Sequence, residues 1–460
     1  MRRWAGWILG ALMCSSVWAK AWAEEANYAA QAVARLSEYL KIDTINPPGN
    51  ESRGVAFLGG ILERAGIPYE TAESAPGRGN IWARLKGGRQ PGLVLLHHID
   101  VVPANRAYWD FDPLSGEVKD GYVYGRGAID TKGLGIIQLQ AFLALHESGA
   151  RLNRDVVFVA TADEEAGGFF GAGWLVENRP EIFANIGFLI NEGGSGQSVG
   201  ERKVFMVEVT QKVPLWLKLT ARGRPGHGSS PQVQTSVTRL LAAANRIAQT
   251  RFPARVIDPV RTMFHGIAPF QNGEMAHQLA AIDEMVGDAE FLLALQLENP
   301  RLHALLRNTC SVTRLTGSAK INVVPAEASA ELDCRLLPDQ DPQTFVRELE
   351  VLIADSNISI DRIMGFTPAV SSTKTPLYGL IERFLRERYP GAMVVPSVST
   401  GFTDSHFFRD LDIDSYGFSP FLFEADEVRG VHGNNERISV ENLEQGTDTM
   451  IELLKQFLLR

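Results

Sequence analysis

The sequence predicts an α/β fold, a mostly parallel sheet with helices on both faces, into which an α+β domain is inserted. Before residue 213, short apolar runs alternate with longer helical patterns, which is typical of strand–helix–strand units. From Val213 onward the pattern changes to the alternation of half-exposed antiparallel strands. The chain has 460 residues, more than one typical domain requires.

Apolar periodicity places the elements of the first domain. Short apolar runs bounded by turn residues predict buried strands, and apolar residues three and four apart predict helices. In chain order, we expect a helix over Tyr28–Leu40, a strand over 93–96, a helix over Lys132–Glu147, and strands over 156–160 and 186–190. Since ligands gather at the carboxyl ends of strands in such sheets, the loops after these strands are the candidate site.

The inserted domain is expected to span 213–365. Leu215, Leu217 and Leu219 alternate with less apolar residues, as in a half-exposed strand. The remaining expected elements are a helix over 233–249, helical patterns over 252–310, alternating apolar and polar residues over 328–333, a helix over 345–354 and a strand over 358–363. The first domain therefore comprises 24–212 and 366–460, and it ends in a helix over 440–459.

The first residues resemble an export signal. Arg2 and Arg3 precede an apolar run over 4–18, and Ala21-Trp22-Ala23 offers a small-residue cleavage site. A single membrane anchor is the alternative, but the run is short for a span of about 20 residues. We expect a signal peptide over 1–23, cleavage after Ala23, and a periplasmic or secreted protein without stable membrane association.

Charge argues against nucleic acid as a partner. Without residues 1–23 the chain keeps 42 basic and 54 acidic residues, a net charge of −12. A protein of this charge is repelled by nucleic acid and by anionic membranes.

Cys310 and Cys334 remain after cleavage and lack the spacing of a zinc-binding pair. Two buried free thiols are the expected state, and a disulfide between them is the alternative open to an exported protein.

Five segments carry side chains able to bind metal. Each follows an apolar strand or a glycine-containing turn. They are 95–103 with His97, His98 and Asp100, 124–133 with Asp130, 161–168 with Asp163, Glu164 and Glu165, 189–194 with Glu192, and 431–436 with His432 and Glu436. Together they predict a metal site at the carboxyl edge of the sheet.

The residue types suit zinc. Imidazole nitrogens and carboxylate oxygens are zinc ligands, and a ligating histidine usually donates its other N–H to a carboxylate. His98 and Asp100 lie two apart on an extended chain, so their side chains share a face. Of adjacent Glu164 and Glu165, one can bind metal while the other serves as a general base.

Each segment alone has a simpler interpretation. His98 with Asp100 could be a surface pair, Glu164-Glu165 a solvated face, and Asp130 the N-cap of the helix that follows. The occurrence of all five segments on one predicted sheet favours the metal site.

The five segments, in this order, resemble the dinuclear zinc peptidase family of aminoacylase, carboxypeptidase G, carboxypeptidase S and succinyl-diaminopimelate desuccinylase. The segments at 98–103 and 124–133, and the extra helical stretch before Asn322, are most similar to carboxypeptidase S and the secreted N-fatty-acyl-amino-acid hydrolase/synthase. The resemblance implies two Zn²⁺, with Co²⁺ or Mn²⁺ as substitutes.

The resemblance also assigns roles to these residues. It implies one zinc on His98, Asp130 and Glu192 and another on Asp130, Glu165 and His432, so that Asp130 bridges the two ions. It implies that Asp100 orients His98, that Glu164 is the general base, and that a cis peptide follows Asp130.

The inserted domain resembles a lid that commonly dimerises in this family. The resemblance implies that His227, in Gly226-His227-Gly228-Ser229, stabilises the oxyanion, often across a dimer. It also implies that Asn322, Arg335 and Thr403 bind substrate. The planar guanidinium of Arg335 suits a carboxylate, whereas a surface salt bridge is its alternative.

The expected function is hydrolysis of an amide or peptide bond beside a free carboxylate, by a carboxypeptidase or an N-acyl-amino-acid hydrolase. The expected substrates are small peptides or N-acyl amino acids, and a homodimer through the lid is the expected assembly. A zinc aminopeptidase or dipeptidase on the same site is the alternative enzyme. A non-catalytic peptide-binding protein is the alternative from another class.

Overall fold

The computed structural model describes residues 27–428 and 430–459. The expected signal peptide and its cleavage site after Ala23 lie outside these residues. In the part of the chain that is described, no helix combines the length and the apolar character needed to cross a membrane.

The predicted elements are largely present, with bounds that differ by a few residues. The strands are β1 (Tyr69–Glu73), β2 (Gly79–Leu85), β3 (Gln90–His98), β4 (Glu117–Lys119), β5 (Tyr122–Tyr124), β6 (Arg154–Thr161), β7 (Ile186–Asn191), β8 (Gly196–Val199), β9 (Arg202–Gln211), β10 (Val213–Arg222), β11 (Gly226–His227), β12 (Thr309–Thr316), β13 (Val323–Val324), β14 (Glu327–Leu336), β15 (Ile358–Gly365), β16 (Met393–Ser399), β17 (Asp414–Gly417), β18 (Leu422–Phe423) and β19 (Arg437–Ser439). The helices are α1 (Tyr28–Leu40), α2 (Ser52–Arg64), α3 (Lys132–Glu147), α4 (Ala172–Asn178), α5 (Ser236–Gln249), α6 (Asp258–Ile267), α7 (Gly273–Ala280), α8 (Ile282–Met285), α9 (Ala289–Glu298), α10 (Pro300–Ala304), α11 (Pro342–Ile353), α12 (Pro376–Arg388), α13 (Ser405–Arg409), α14 (Ala425–Val428) and α15 (Val440–Leu458).

A large, mostly parallel sheet forms the centre of the molecule. Its strand order is β1-β2-β6-β3-β7-β17-β9-β8-β18, and β16 pairs with β9. The central neighbours β6, β3, β7 and β17 run parallel to one another, whereas β1 and β2 add antiparallel pairs at one edge. This arrangement confirms the predicted α/β fold class.

Both faces of this sheet are buried, which explains why its strands are continuously apolar. Leu93 and Leu95 of β3 pack in the same core as α1, α3 and α15. Val94 and Leu96, which point to the opposite face, pack with residues of α4 and α13. The central strands are therefore covered by helices on each side, and their carboxyl ends open at one edge.

The smaller sheet has the antiparallel order β12-β14-β10-β15. The chain enters it at β10 directly after β9 and leaves it at the end of β15. α5 and α11 cover one face, and Leu215, Leu217 and Leu219 of β10 are buried beneath them. The predicted in–out alternation of β10 is thus the pattern of a sheet with one buried face.

The helical segment from α6 to α10 differs from the expected organisation, which placed it within the inserted domain. Phe264 and Ile267 of α6 share a core with Val395 of β16 and Val204 of β9, both strands of the large sheet. Apolar periodicity identifies a buried face but not the surface that covers it. This segment therefore contributes to the wall of the large domain.

The expectation of two free thiols is wrong, because Cys310 and Cys334 form a disulfide. β12 and β14 pair antiparallel, and their register sets Cys310 directly opposite Cys334. The sequence places both residues in strands, but the strand register that brings them together is decided by the sheet.

Candidate metal centre

The strands of the large sheet deliver three of the five segments to one edge. His98 is the last residue of β3, beside Thr161 at the end of parallel β6. Glu164 and Glu165 follow β6, and Glu192 follows β7. Since parallel strands end together, their carboxyl-terminal side chains converge.

The first histidine contacts three carboxylates. His98 Nε2 lies 3.0 Å from an oxygen of Asp130, 3.6 Å from Glu192 and 3.9 Å from Glu164. The imidazole is almost completely buried. His98, Asp130 and Glu192, one of the two ligand sets implied by the resemblance, thus lie together.

The second histidine arrives from the far end of the chain. His432 Nε2 lies 3.1 Å from the other oxygen of Asp130 and 3.2 Å from Glu165. Asp130 therefore presents one oxygen to each histidine, and its peptide bond to Thr131 is cis. The structure thus also brings together Asp130, Glu165 and His432, the other implied set.

Asp100 has a broader role than orienting His98. The His98 Nδ1 lies 2.9 Å from the backbone oxygen of Asp100 and 3.6 Å from its carboxylate, so the closer partner is the backbone. The carboxylate instead accepts from the backbone N–H groups of Glu164 and Glu165, at 3.1 and 3.2 Å, and from Asn46 at 2.8 Å. Asp100 thereby holds both adjacent glutamates in place.

Glu436 is a site residue that the sequence reasoning missed. Its buried carboxylate pairs with Arg126 at 2.7 Å and accepts from the backbone N–H groups of Gly127, Ile129 and Asp130 at 2.8–3.1 Å. It therefore fixes the loop that carries Asp130. Its position, four residues after His432 in the fifth segment, is the signal that could have identified it.

The cluster is strongly acidic, and the pKa values of its members show this. Burial, and then the neighbouring Glu192, raise the pKa of Glu164 well above its usual range. Burial raises the pKa of Glu192 to about 7. Hydrogen bonds with Asp130 and Glu165 raise the pKa of His432 to about 10. Such a concentration of carboxylates favours protons or cations.

A cavity of about 1020 Å³ opens from this cluster. Its wall includes Arg335 and Thr403, as well as Phe402. Arg335 pairs with Asp333 at 2.7 Å, yet its buried Nη1 has no hydrogen-bond partner among the described residues. Thr403 is fixed by its N–H, which donates to Gln211 at 3.0 Å.

Two expected site residues lie elsewhere. His227 and Asn322 are exposed and are not part of the cavity wall. They lie together, because β11 pairs with β13 and Gly228 N–H donates to the Asn322 carbonyl at 2.8 Å. Within one chain, therefore, the structure does not bring these two residues to the acidic cluster.

Comparison with known proteins gives the family. Residues 94–456 match the model of peptidase family M20/M25/M40. An N-fatty-acyl-amino acid synthase/hydrolase of Xenopus tropicalis is 33% identical over 371 residues, which cover 79% of this chain and 72% of that protein. Aminoacylase-1A of Rattus norvegicus is 28% identical over an alignment that covers 92% of this chain and 94% of the aminoacylase.

A metallo-carboxypeptidase from Sulfolobus solfataricus shares the fold, with a TM-score of 0.71 and 20% identity, over 92% of this chain and 98% of its own. Human carnosine dipeptidase 1 also shares the fold, with a TM-score of 0.63 and 17% identity, over 93% of this chain and 96% of the dipeptidase. With the family match over most of its length, the chain belongs to peptidase family M20/M25/M40 and is a metal-dependent amidohydrolase.

Proposed function

We propose that the protein is a dinuclear zinc enzyme that hydrolyses N-acyl amino acids and related amides next to a free carboxylate. One observation carries this proposal: Asp130 offers one oxygen to each of two histidines, at 3.0 and 3.1 Å, beside a cavity that contains Arg335. The relatives named as aminoacylase and N-fatty-acyl-amino acid synthase/hydrolase support the substrate class.

The donor set fits two zinc ions. His98 and His432 supply nitrogen ligands, and carboxylate oxygens complete a set in which Asp130 is shared. The ligand atoms of His98, Glu164 and Glu192 all lie within 4.8 Å of one another. The same holds for those of His98, Asp130 and Glu165. Bound zinc would supply the positive charge that activates water and polarises the scissile carbonyl.

Glu164 is the proposed general base. Its backbone N–H donates to Asp100, and the residue lines the cavity. Burial raises the pKa of Glu164, which suits a group that takes a proton from water and returns it to the leaving amine near neutral pH. Glu165 binds metal in this assignment, so the adjacent glutamates divide the two tasks.

Arg335 is the proposed carboxylate-binding residue. Asp333 holds the guanidinium on one side, which leaves the buried Nη1 able to donate into the cavity. A guanidinium fixed in this way recognises a carboxylate with directional hydrogen bonds. Thr403, on the same wall, completes the proposed substrate contacts.

The proposed function is tested by removing the metal and by blocking the substrate amine. Purified protein treated with a chelator should lose amidase activity and regain it with Zn²⁺. An N-acetyl amino acid should be cleaved, whereas the corresponding amino acid amide with a free amine and no carboxylate should not. Cleavage of only the free-amine substrate would identify an aminopeptidase. If no substrate were cleaved, the remaining interpretation would be a non-catalytic peptide-binding protein.

A homodimer is part of the proposal. His227 and Asn322 lie on the surface, and neighbouring Ile321 and Val233 are fully exposed, with relative exposures of 105% and 101%. Large apolar side chains at such exposure favour a protein contact. We assign this surface, defined by Val233, His227, Ile321 and Asn322 and called the lid surface, to a contact that brings His227 to the partner's site.

Export is the final part of the proposal. The basic start and apolar run of residues 1–23 support it. The disulfide between Cys310 and Cys334 supports it independently, since disulfides persist in oxidising compartments. Mass spectrometry of the protein recovered from its native compartment should give Glu24 as the first residue.

A further inference from the structure

One buried arginine contacts the turn that carries Glu164 and Glu165. Arg78 immediately precedes β2 and is only 7% exposed. Its guanidinium lies between the loop 46–49 and Asp163, the residue before Glu164. A buried guanidinium needs partners for its N–H groups, so these partners show which parts of the chain it holds in place.

The first set of contacts leads to Asp100. Nη1 of Arg78 donates to the side-chain oxygen of Asn46 at 3.3 Å and to the Pro48 carbonyl at 2.8 Å. The Nδ2 of Asn46 in turn donates to Asp100 at 2.8 Å. Because Asp100 accepts from the backbone N–H groups of both adjacent glutamates, a single amide side chain connects the guanidinium to the carboxylate that holds them.

The second set of contacts leads to Asp163. Nη2 of Arg78 donates to one oxygen of the Asp163 carboxylate, and the other oxygen accepts from the N–H of Phe170 at 3.0 Å. The Asp163 carbonyl accepts from the N–H groups of Ala166 and Gly168, at 3.0 and 2.7 Å. Asp163 therefore closes the turn with both its side chain and its backbone.

The backbone conformation of Asp163 depends on such contacts. Its φ of 72° lies in the left-handed region, which a residue with a side chain adopts only at an energetic cost. Aspartate tolerates this region better than most residues, but surrounding contacts are needed to keep it there. Since Glu164 follows directly, the direction in which its side chain leaves the turn depends on this conformation.

The surroundings of Arg78 match the shape of its guanidinium. A Cβ atom at Gly49 would lie 2.4 Å from Nη1, so a larger residue there would displace the guanidinium. The buried carboxylate of Glu51 lies 3.2 Å from Nη2, and the ring of Phe170 lies 5.7 Å from Cζ. A planar cation that pairs in several directions fits this site, whereas an ammonium would leave some of the partners unpaired.

These residues are separate from the proposed substrate contacts. Of the described residues that form the cavity wall, none is Arg78, Asn46 or Asp163. The proposed substrate-binding residues Arg335 and Thr403 are held by other partners. The buried arginine therefore affects turnover only through the backbone of the two glutamates, which leaves the binding of substrate unchanged.

We propose that Arg78 is a positioning residue for the reaction, acting through Asn46 and Asp163. It fixes the backbone from which Glu164 reaches the attacking water and Glu165 reaches the metal. The effect on turnover rests on the proposed function, whereas the effect on the turn does not depend on which substrate is cleaved. Residues that orient the groups around a metal contribute about 10–100-fold to activity.

Arg78→Lys tests the effect on turnover. The variant keeps the buried charge, but an ammonium lacks the planar fork that pairs with Asn46 and Asp163 at once. For an N-acetyl amino acid, kcat should fall by about 10–100-fold while KM changes by less than about twofold. Arg84→Lys is the matched control, because Arg84 lies in the adjacent β2 and pairs with Asp155 away from the cluster, and it should leave kcat unchanged.

Hydrogen–deuterium exchange measures the same contacts without turnover. In the turn that follows β6, two backbone N–H groups donate to Asp100 and three donate to Asp163. Arg78→Lys should make these N–H groups exchange at least about tenfold faster, because the carboxylates that accept from them are no longer fixed. Their exchange in Arg84→Lys should equal that of the wild type.

Asn46→Ala separates the two sets of contacts and replaces the arginine variant if that variant does not fold. It interrupts only the path to Asp100, so exchange should become faster at Glu164 and Glu165. Exchange of the three N–H groups that donate to Asp163 should stay at the wild-type rate. Wild-type exchange at both glutamates in this variant would contradict the path through the amide.

The outcomes separate this inference from the proposed function. If the wild type cleaves N-acyl amino acids and Arg78→Lys keeps either its kcat or its exchange rates, the positioning role is overturned and the amidohydrolase stands. An equal loss of kcat in Arg84→Lys would overturn it as well, since the loss would then follow from general destabilisation. Faster exchange in Arg78→Lys, in a protein that cleaves no N-acyl amino acid, supports the positioning role and contradicts the proposed function.

Discussion

Glu164 and Glu165 are adjacent, yet their surroundings differ. The carboxylate of Glu165 lies 3.2 Å from His432, whereas the nearest imidazole to Glu164 is His98, at 3.9 Å. Glu164 is also the residue whose pKa burial raises well above the usual range. The difference in position, and not in residue type, is the basis for the proposal that one glutamate binds metal and the other transfers a proton.

Glu164→Gln tests this division. The amide keeps the size of the side chain but cannot accept the proton, so kcat should fall by about 10²–10⁴-fold while the zinc content is unchanged. Steady-state kinetics and elemental analysis of the purified variant measure both quantities. Glu181→Gln, at an exposed surface position, is the control. Near-normal turnover of Glu164→Gln would remove this residue from the proposed role.

Glu436 makes a separate prediction about metal affinity. Glu436→Gln removes the charge that pairs with Arg126 and weakens the hydrogen bonds that position Asp130. Because partners that orient metal ligands contribute about 10–100-fold to affinity, zinc binding should weaken by that factor. Competition with a chromophoric chelator measures it. Asp155→Asn, which breaks the pair with Arg84 away from the cluster, should leave zinc affinity unchanged.

At the scale of elements, the short helix α10 carries a buried titratable side chain. His303, in this helix, is buried. Burial, then the charges of Arg307, Lys212 and Arg251, lower its pKa to about 4. The unfolded chain, with a histidine pKa of about 6.5, therefore binds more protons than the folded protein between these values.

The free energy of unfolding should consequently fall as the pH drops from about 6.5 to about 4, where His303 becomes protonated in both states. Urea unfolding across this interval measures the slope. His303→Gln should reduce the slope, whereas His265→Gln, at an exposed position of α6, should change it little. Equal slopes in the wild type and His303→Gln would contradict this assignment.

The disulfide stabilises an edge of the smaller sheet. β12 is an edge strand, and the bond joins it to β14 across 24 residues of sequence. In the chain-entropy treatment, closing a loop of this size stabilises the folded state by about 3 kcal/mol. Reductant should therefore lower the free energy of unfolding of the wild type by about that amount. It should have no effect on the C310S/C334S double variant, and a reductant effect that persists there would have another origin.

At the scale of the whole molecule, the proposed dimer implies that the lid surface completes each site. Ile321→Lys places a charge on that surface and should convert the proposed dimer to a monomer, as sedimentation velocity would show. kcat should fall with it, because His227 no longer reaches a partner's site. Val351→Lys, at an exposed apolar position of α11, is the control. A wild type that is monomeric and fully active would contradict the dimer.

Much of the fold could be predicted because the pattern of apolar residues that indicates a strand or a helix lies within the element itself. α1 and α3 begin and end at the predicted residues, since apolar periodicity is a property of neighbouring positions. The packing of α6 on β16 could not be predicted in this way. It depends on the fit of two surfaces that are far apart in sequence.

By itself, the sequence determined which donors are available and in what order: His98, Asp130, Glu165, Glu192 and His432 each follow a strand or a turn whose type is set locally. Only the tertiary structure decided that Asp130 faces both histidines, that Glu436 holds its loop, that Cys310 meets Cys334, and that His227 lies outside the cavity wall. Hydrogen bonds and packing act over a few ångströms in space, and strand register and sheet order determine which distant residues come that close.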